Sequence, residues 1–421
     1  MPGDRPETVE YSDIEAAMER LDDPSVVRET PVEPSSSLEA ATGAEEILLK
    51  MEHLQWTGSF KTRGAYNKIS HLVAERDVDR VVAASAGNHA QGVALAATKR
   101  GVDATIVMPK TAPQAKIDAT RGYGGSVELV GRDFQAATAH AREVAAAGGA
   151  EFVHAFDDPA IVAGQGTLGV EMCEDVPDLD TVVVPIGGGG LMGGISTAFA
   201  ELSPDTRVVG VQAEGAATVA DSLEKGEPVT LEEVDTIADG IATGGVSEVT
   251  LSLIERHVDN VVTVTNGQIA DAILLLMERA KQVVEGAGAA SVAATLSDDL
   301  DVAGERVMPL LCGGNLDMTM LRAVLIHALA RRRQILRLRV HIHDEPGRMA
   351  DISGTIADHG ANIHSVRHDR ALDDLDVGQA YLIFEVETSG AEHAASIIDS
   401  IAADGYGVEI VNRVSDDDAT R

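Results

Sequence analysis

Short apolar runs recur along the first three quarters of this chain, and a half-exposed sheet could not accommodate them. Val81-Val82-Ala83-Ala84, Ala104-Thr105-Ile106-Val107-Met108, Thr181-Val182-Val183-Val184 and Val208-Val209-Gly210-Val211 contain almost no polar residue. Strands apolar on both faces need cover on both faces, which parallel sheets flanked by helices supply. Ala-rich stretches of helical character lie between them, and strand and helix alternate through about residue 325. That order predicts a doubly wound α/β body whose ligands gather at the carboxyl ends of the strands. Ahead of it, Ile14, Ala17, Met18 and Leu21 predict a short amphipathic helix.

The pattern breaks near 331. Arg331, Arg332 and Arg333 form a basic cluster in an acidic chain, and Leu336, Leu338, Val340 and Ile342 then alternate as a half-exposed strand does. The turn Asp344-Glu345-Pro346-Gly347 follows, then a helix from about Met349 to His359 and strands over 363–366 and 381–386. A helix from about Glu392 and a last strand over 408–414 complete a βαββαβ order, the ferredoxin-like split arrangement. The chain therefore reads as a body over 1–330, with a smaller lobe at roughly 58–155, and a second domain over 331–421.

At 421 residues the chain has room for two or three domains. Its 68 Asp and Glu against 33 Lys and Arg give a formal charge of -35, which repels phosphate backbones and anionic lipids. Nucleic acid and membrane surfaces are excluded as partners. With 44% hydrophobic residues the chain is still a globular protein with an acidic skin. Lysine numbers eight, and a carboxylate-rich surface poor in lysine suits a cytosol of molar salt, where screening shortens to about 3 Å. This reads as a halophile's protein, with an ordinary acidic cytosolic enzyme as the alternative. Two cysteines far apart, Cys173 and Cys312, without CxxC spacing or a secretory leader, point to a reducing cytoplasm. No apolar run approaches a membrane span of about 18 residues.

Four segments of the body carry chemistry. Thr57-Gly58-Ser59-Phe60-Lys61-Thr62-Arg63-Gly64-Ala65 sets a lone Lys behind a Gly-Ser turn, either a surface lysine or a nucleophile. Ala84-Ser85-Ala86-Gly87-Asn88-His89-Ala90-Gln91-Gly92 carries a strand end into a helix, where backbone N–H groups can seat a carboxylate or phosphate. Helix capping by Ser85 or Asn88 would explain it equally without a ligand. In Pro185-Ile186-Gly187-Gly188-Gly189-Gly190-Leu191-Met192-Gly193-Gly194, four glycines lead into a helix, so several N–H groups can converge on one phosphate. The segment has neither the Lys-Ser/Thr of a P-loop nor dinucleotide spacing, so a phosphate monoester fits better than ATP or NAD. In Leu310-Leu311-Cys312-Gly313-Gly314-Asn315, Cys312 by itself is a small buried hydrophobe.

Together, in this order, the four segments resemble the fold-type II (tryptophan synthase β-like) family of pyridoxal-phosphate enzymes, and within it the threonine/serine dehydratases. The resemblance implies a two-lobed catalytic body, pyridoxal 5'-phosphate as cofactor, and β-elimination of water from L-threonine to 2-oxobutanoate and ammonia. L-serine is the second substrate it implies, and the setting is isoleucine biosynthesis or threonine catabolism. By matching segment, Lys61 is the lysine that bonds the cofactor aldehyde and later acts as base. Phe60 packs beside the cofactor, and Asn88 bonds its 3'-oxygen. Gly187, Gly188, Gly189, Gly190 and Leu191 form the phosphate cup, and Cys312 meets the pyridine nitrogen. Ser85, Ala86, Gly87, Asn88 and His89 form the substrate-carboxylate segment. Glu285 matches a place near the cofactor ring but reads equally as a helix-start carboxylate. Glu214 matches a place where relatives hold a monovalent or divalent cation; a second carboxylate is not evident, so no metal is assigned.

Ala86 stands where the family's serine racemases carry a second serine, which disfavours racemisation. The other readings are a serine racemase/dehydratase, a hydroxyaspartate ammonia-lyase or, from another class, a catalytically silent amino-acid-binding regulator. The second domain resembles an ACT domain through Asp344-Glu345-Pro346-Gly347-Arg348-Met349-Ala350 and Gly360-Ala361-Asn362-Ile363. That resemblance implies a homodimer or homotetramer, and a branched-chain amino-acid effector near Gly347, Arg348, Asn362 and Ile363; an assembly module without ligand is the alternative. His341, His343, His364 and His368 show no zinc spacing and read as structural or surface residues.

Overall fold

A computed structural model describes residues 8–76, 78–370 and 375–411. The chain divides into two compact units, Met1–Asp317 and Met318–Arg421. The sequence break lies at 330/331, whereas the helix Met318–Arg331 falls in the second unit and packs on the strand Ile335–His343.

The first unit holds two sheets. The larger runs, in spatial order, Val32–Pro34, Glu46–Lys50, Arg306–Pro309, Thr181–Pro185, Arg207–Ala213 and Asn260–Val264; only the first pairing is antiparallel. The smaller is wholly parallel: Ser126–Leu129, Asp103–Met108, Arg80–Ala84 and Glu151–Phe152. Val182, Val183 and Val184 have no exposed surface, nor do Val81 and Val82, as strands covered on both faces require. The N-terminal helix forms at Tyr11–Leu21 and buries Ile14, Ala17 and Leu21.

Two helices set the position of the site. Pro159–Asp175 starts sharply: Pro159 occupies its first turn, and the Asp158 carboxylate accepts from the N–H groups of Ala160 and Ile161. Against it lies Lys61–Arg76. The two approach so closely that a Cβ on Gly164 would sit 2.6 Å from the Gly64 Cα and 2.9 Å from the Arg63 carbonyl oxygen. Polar bonds run alongside: the Gly64 N–H donates to Gln165 Oε1 (3.2 Å) and Asn67 Nδ2 to the Ala160 carbonyl (2.7 Å).

The second unit is an antiparallel sheet ordered Asn362–Asp369, Gln379–Glu387, Ile335–His343, Gly407–Ile410, with helices Arg348–Asp358 and Ala391–Ala403. In chain order this is βαββαβ. Leu336, Leu338, Val340 and Ile342 turn into its core, as period-two alternation demands. The last strand ends at Ile410; residues 412–414 of the expected strand lie outside the described residues. Among the described residues no helix is long and apolar enough to cross a membrane.

Because backbone, not a flexible side chain, meets the Gly164 position, Gly164→Ala should destabilise the protein by about 1–3 kcal/mol, read as a lower thermal midpoint. A midpoint equal to the parent's would contradict the close approach of the two helices.

Candidate active site

The site is a cavity of about 510 Å³ lined from both sheets of the first unit. Two loops are joined at its floor. Ser59 bridges Gly313, the Phe60 N–H donates to the Cys312 carbonyl (3.3 Å) and the Gly314 N–H to the Gly58 carbonyl (2.9 Å). Gly58 takes φ +73°, and a Cβ there would fall 2.6 Å from Asn315 Oδ1. This joining brings Lys61, the first residue of its helix, opposite Cys312. The Lys61 ammonium donates to the Ala155 carbonyl (3.0 Å) and lies 4.9 Å from the centre of the Phe60 ring. Loss of water pushes its pKa down to about 8. Burial drives the Cys312 thiol well above its ordinary value, so it faces the cavity as a neutral group.

The strand Arg80–Ala84 delivers Ser85 to His89 to one wall. Ser85 Oγ accepts from the Gly87 N–H (3.1 Å). Asn88 has both ends of its amide engaged: Nδ2 donates to Glu285 Oε1 (2.7 Å), and Oδ1 accepts from Asn315 Nδ2 (2.8 Å). Asn315 Nδ2 also donates to the Thr57 carbonyl (2.7 Å). His89 Nε2–H donates to the Val153 carbonyl (3.0 Å), and burial together with Lys61 pushes its pKa down to about 3, leaving it neutral.

Pro185 ends its strand and the loop Ile186–Gly189 turns into the helix Gly190–Leu202. The glycines are demanded by their neighbours. A Cβ on Gly188 would fall 2.3 Å from the Phe156 ring, and Gly189, at φ +88°, lies under Thr250, whose hydroxyl donates to the Gly188 carbonyl (2.8 Å). Leu191 closes this end.

Glu285 stands at the N-cap of the helix Gly286–Thr295 but makes no capping bond. Its carboxylate turns to Asn88 instead, and burial raises its pKa to about 7. Glu214 is exposed in a short turn, away from the cavity lining, and among the described residues no cluster of three metal-ligating side chains occurs. Gly347, at φ +98°, and Arg348 open the helix Arg348–Asp358 of the second unit, with Arg348 bonded to Glu345 (2.7 Å); Asn362 and Ile363 begin its edge strand. His341 and His364 bond Gln379 and Glu387, and His368 lies 3.2 Å from the Asp344 carboxylate.

Sequence reasoning did not single out Lys116, His154, Ala155, Phe156, Asp239 or Asn315. The first five reach the cavity from loops and helix ends far apart in sequence. Only the strand-to-helix cap Asp158-Pro159 could have drawn attention to the loop before it. Lys116 and Asp239 pair at 3.7 Å on the lining.

Pyridoxal-phosphate dependent enzymes match this chain over residues 25–313 and ACT domains over 336–403. The chain belongs to the pyridoxal-phosphate dependent enzyme family. An L-threonine ammonia-lyase of Thermotoga maritima is 45% identical over 403 residues, covering 96% of this chain and all of that protein. One of Geobacter sulfurreducens is 42% identical, over 87% of this chain and 91% of its own. Threonine deaminase isoform 2 of Solanum lycopersicum superposes with TM-score 0.71 at 37% identity, covering 78% of this chain and 93% of its own. Maize serine racemase does so with TM-score 0.71 at 33% identity, over 78% and 100%. The cofactor of a pyridoxal-phosphate dependent enzyme fits here: a reactive amine, a glycine cradle whose missing side chains are required, and a cavity volume of the ordinary ligand range.

In cofactor-stripped protein the lowered Lys61 pKa has a direct consequence. Borohydride-trapped labelling of Lys61 by a small aldehyde should rise through about pH 8, since only the neutral amine reacts. A rise centred near pH 10, as for exposed lysines, would show that Lys61 is not desolvated.

Proposed function

We infer that this protein is a pyridoxal-phosphate threonine ammonia-lyase, converting L-threonine to 2-oxobutanoate and ammonia. The observation that carries the reading is Lys61, a desolvated amine at the floor of a glycine-cradled cavity, in a chain alike over nearly its whole length to an L-threonine ammonia-lyase. Phe60, Lys61, Asn88, Gly187 to Gly190, Leu191 and Cys312 hold the cofactor in this reading. Ser85 to His89 receive the substrate carboxylate.

Bound there, pyridoxal phosphate supplies an electron sink for the carbanion at Cα. The Lys61 amine removes the Cα proton as general base. That electron pair forms the Cα–Cβ double bond while the Cβ–O bond breaks, and the oxygen leaves as water. The enamine set free takes up water and gives the 2-oxo acid and ammonia. Cys312, held neutral, leaves no charge beside the ring nitrogen, which suits a reaction whose leaving group departs early.

The lining favours threonine over 3-hydroxyaspartate. Its cationic side chains among the described residues are Lys61 and Lys116, and Lys116 is already paired with Asp239, so a second carboxylate would find no free cation. Ala86 offers no side-chain base for the opposite face, which disfavours a racemase. Cavity discrimination of one methyl group is worth about 1–3 kcal/mol, so L-serine should react with kcat/KM about 10–200-fold lower. Lys61→Ala should lose both the yellow absorbance of the bound cofactor and 2-oxo acid formation. Assays belong at molar potassium chloride as well as at low salt, given the charge of -35. Faster turnover of 3-hydroxyaspartate or D-serine than of L-threonine would replace the assignment, and colourless protein would favour the silent regulator.

The second unit supports regulation by a branched-chain amino acid. Asn362 offers donor and acceptor at the start of an edge strand, and the Gly347 backbone is open to close approach. Isoleucine or valine should change the activity of the full-length enzyme, and Asn362→Ala should weaken that response while sparing basal turnover. Identical titrations of the two proteins would leave the unit an assembly module, forming a homodimer or homotetramer.

A further inference from the structure

We propose that the Nε2–H of His154 is a hydrogen-bond donor to the β-oxygen of the substrate as its bond to Cβ breaks. The proposal rests on the β-elimination reading above and names one more residue that touches the reacting atoms. His154 lies on the loop between the strand Glu151–Phe152 and the helix Pro159–Asp175, along the cavity wall. The next two residues tie that loop to both halves of the chemistry: the Ala155 carbonyl accepts from the Lys61 ammonium, and Phe156 sets its ring over Gly188 and its backbone beside Gly190. His154 thus precedes, on one loop, the residues that meet the base and the glycine cradle.

Its tautomer follows from its partners. Nδ1 accepts from the N–H groups of Asp157 (2.8 Å) and Phe156 (3.3 Å), so the ring proton must be on Nε2. Phe156 holds the ring edge to face at 4.7 Å and 77°. Among the described residues nothing bonds Nε2, and His154 is one of the residues that line the cavity. Burial lowers the imidazole pKa, and a proton on Nδ1 would meet two N–H donors, so the group stays a neutral donor.

The step balances without proton transfer from His154. The Cα–H pair becomes the new double bond, the Cβ–O pair leaves with oxygen, and the proton that Lys61 takes from Cα is passed by its ammonium to the departing oxygen, which leaves as water. His154 keeps its own proton and stabilises the charge growing on oxygen, as a preorganised donor does. A chloride leaving group needs no such donor.

His154→Phe keeps a planar ring and removes the donor. In holoenzyme with the cofactor absorbance of the parent, kcat on L-threonine and L-serine should fall about 100-fold, the scale of one lost donor to a developing oxyanion. The kcat on β-chloro-L-alanine should fall far less, and His154→Gln should recover part of the loss on L-serine. An equal fall on hydroxy and chloro substrates, no fall on either, or a rise in KM with kcat intact on both would overturn the proposal. Should His154→Phe lose the cofactor absorbance, His154→Asn provides the same ratio of L-serine to β-chloro-L-alanine turnover. Failure of the parent enzyme to make a 2-oxo acid from either hydroxy substrate would instead strike the functional reading itself.

Discussion

Arg63 keeps its charge inside the protein because two carboxylates meet it there. Its guanidinium forks onto Glu52 (2.7 and 3.0 Å) and reaches Glu171 (2.6 Å); Arg63 is 2% exposed and Glu52 not at all. Burial alone would lower the pKa of the guanidinium, and the two carboxylates more than offset that. Glu171 is shared with Lys50, which also bonds Asp175 (2.7 Å) and the Thr30 carbonyl (2.8 Å). Removing one member of such a cluster leaves an unpaired buried charge and costs about 3–5 kcal/mol. Arg63 is two residues from Lys61, in the first turn of the same helix. The cluster therefore fixes the turn that carries the amine against the strand Glu46–Lys50 and the helix Pro159–Asp175, and the Ala155 loop hangs from the start of that helix.

Much of this was readable from residues. Uninterrupted apolar strands forecast parallel sheets covered on both faces, and the alternation at Leu336 to Ile342 forecast the change to a half-exposed sheet. Periodicity reports how a strand is buried but not which strands share a sheet, so the two-lobed body came only through the family resemblance, and the six-stranded and four-stranded sheets only from the structure. The glycine loop was legible because the absence of side chains is itself a signal. Phe156, which makes Gly188 necessary, was not: a Phe in a loop has no pattern, and its meaning is a contact across 32 positions. Asn315 lies within the Cys312 motif, yet the motif alone shows no role for it, because its partners Thr57 and Asn88 come from two other segments.

The scarcity of lysine separates less than it first suggests. In a chain with eight lysines, Lys50 is buried completely, yet it answers two carboxylates and a carbonyl and serves as a strut. Lys61 has one neutral carbonyl partner and a cavity beside it. Partners, not burial, distinguish a nucleophile from a strut: desolvation with compensation keeps the ammonium, and desolvation without it yields a usable amine.

The same distinction divides the acids. Among the described residues Glu52 and Glu285 are the buried carboxylates, so the acidic excess lies on the surface and bears on solubility rather than chemistry. Glu52 faces a guanidinium and serves as an anchor. Glu285 faces the Asn88 amide, which can share a hydrogen bond but no charge, and burial then lifts its pKa to about 7. With Oδ1 committed to Asn315 and one N–H to Glu285, Asn88 has a single N–H left, and the reading of the site assigns that to the cofactor oxygen. A carboxylate whose bonding partner is a neutral amide has its pKa set by burial, whereas one locked to an arginine is compensated by the opposite charge.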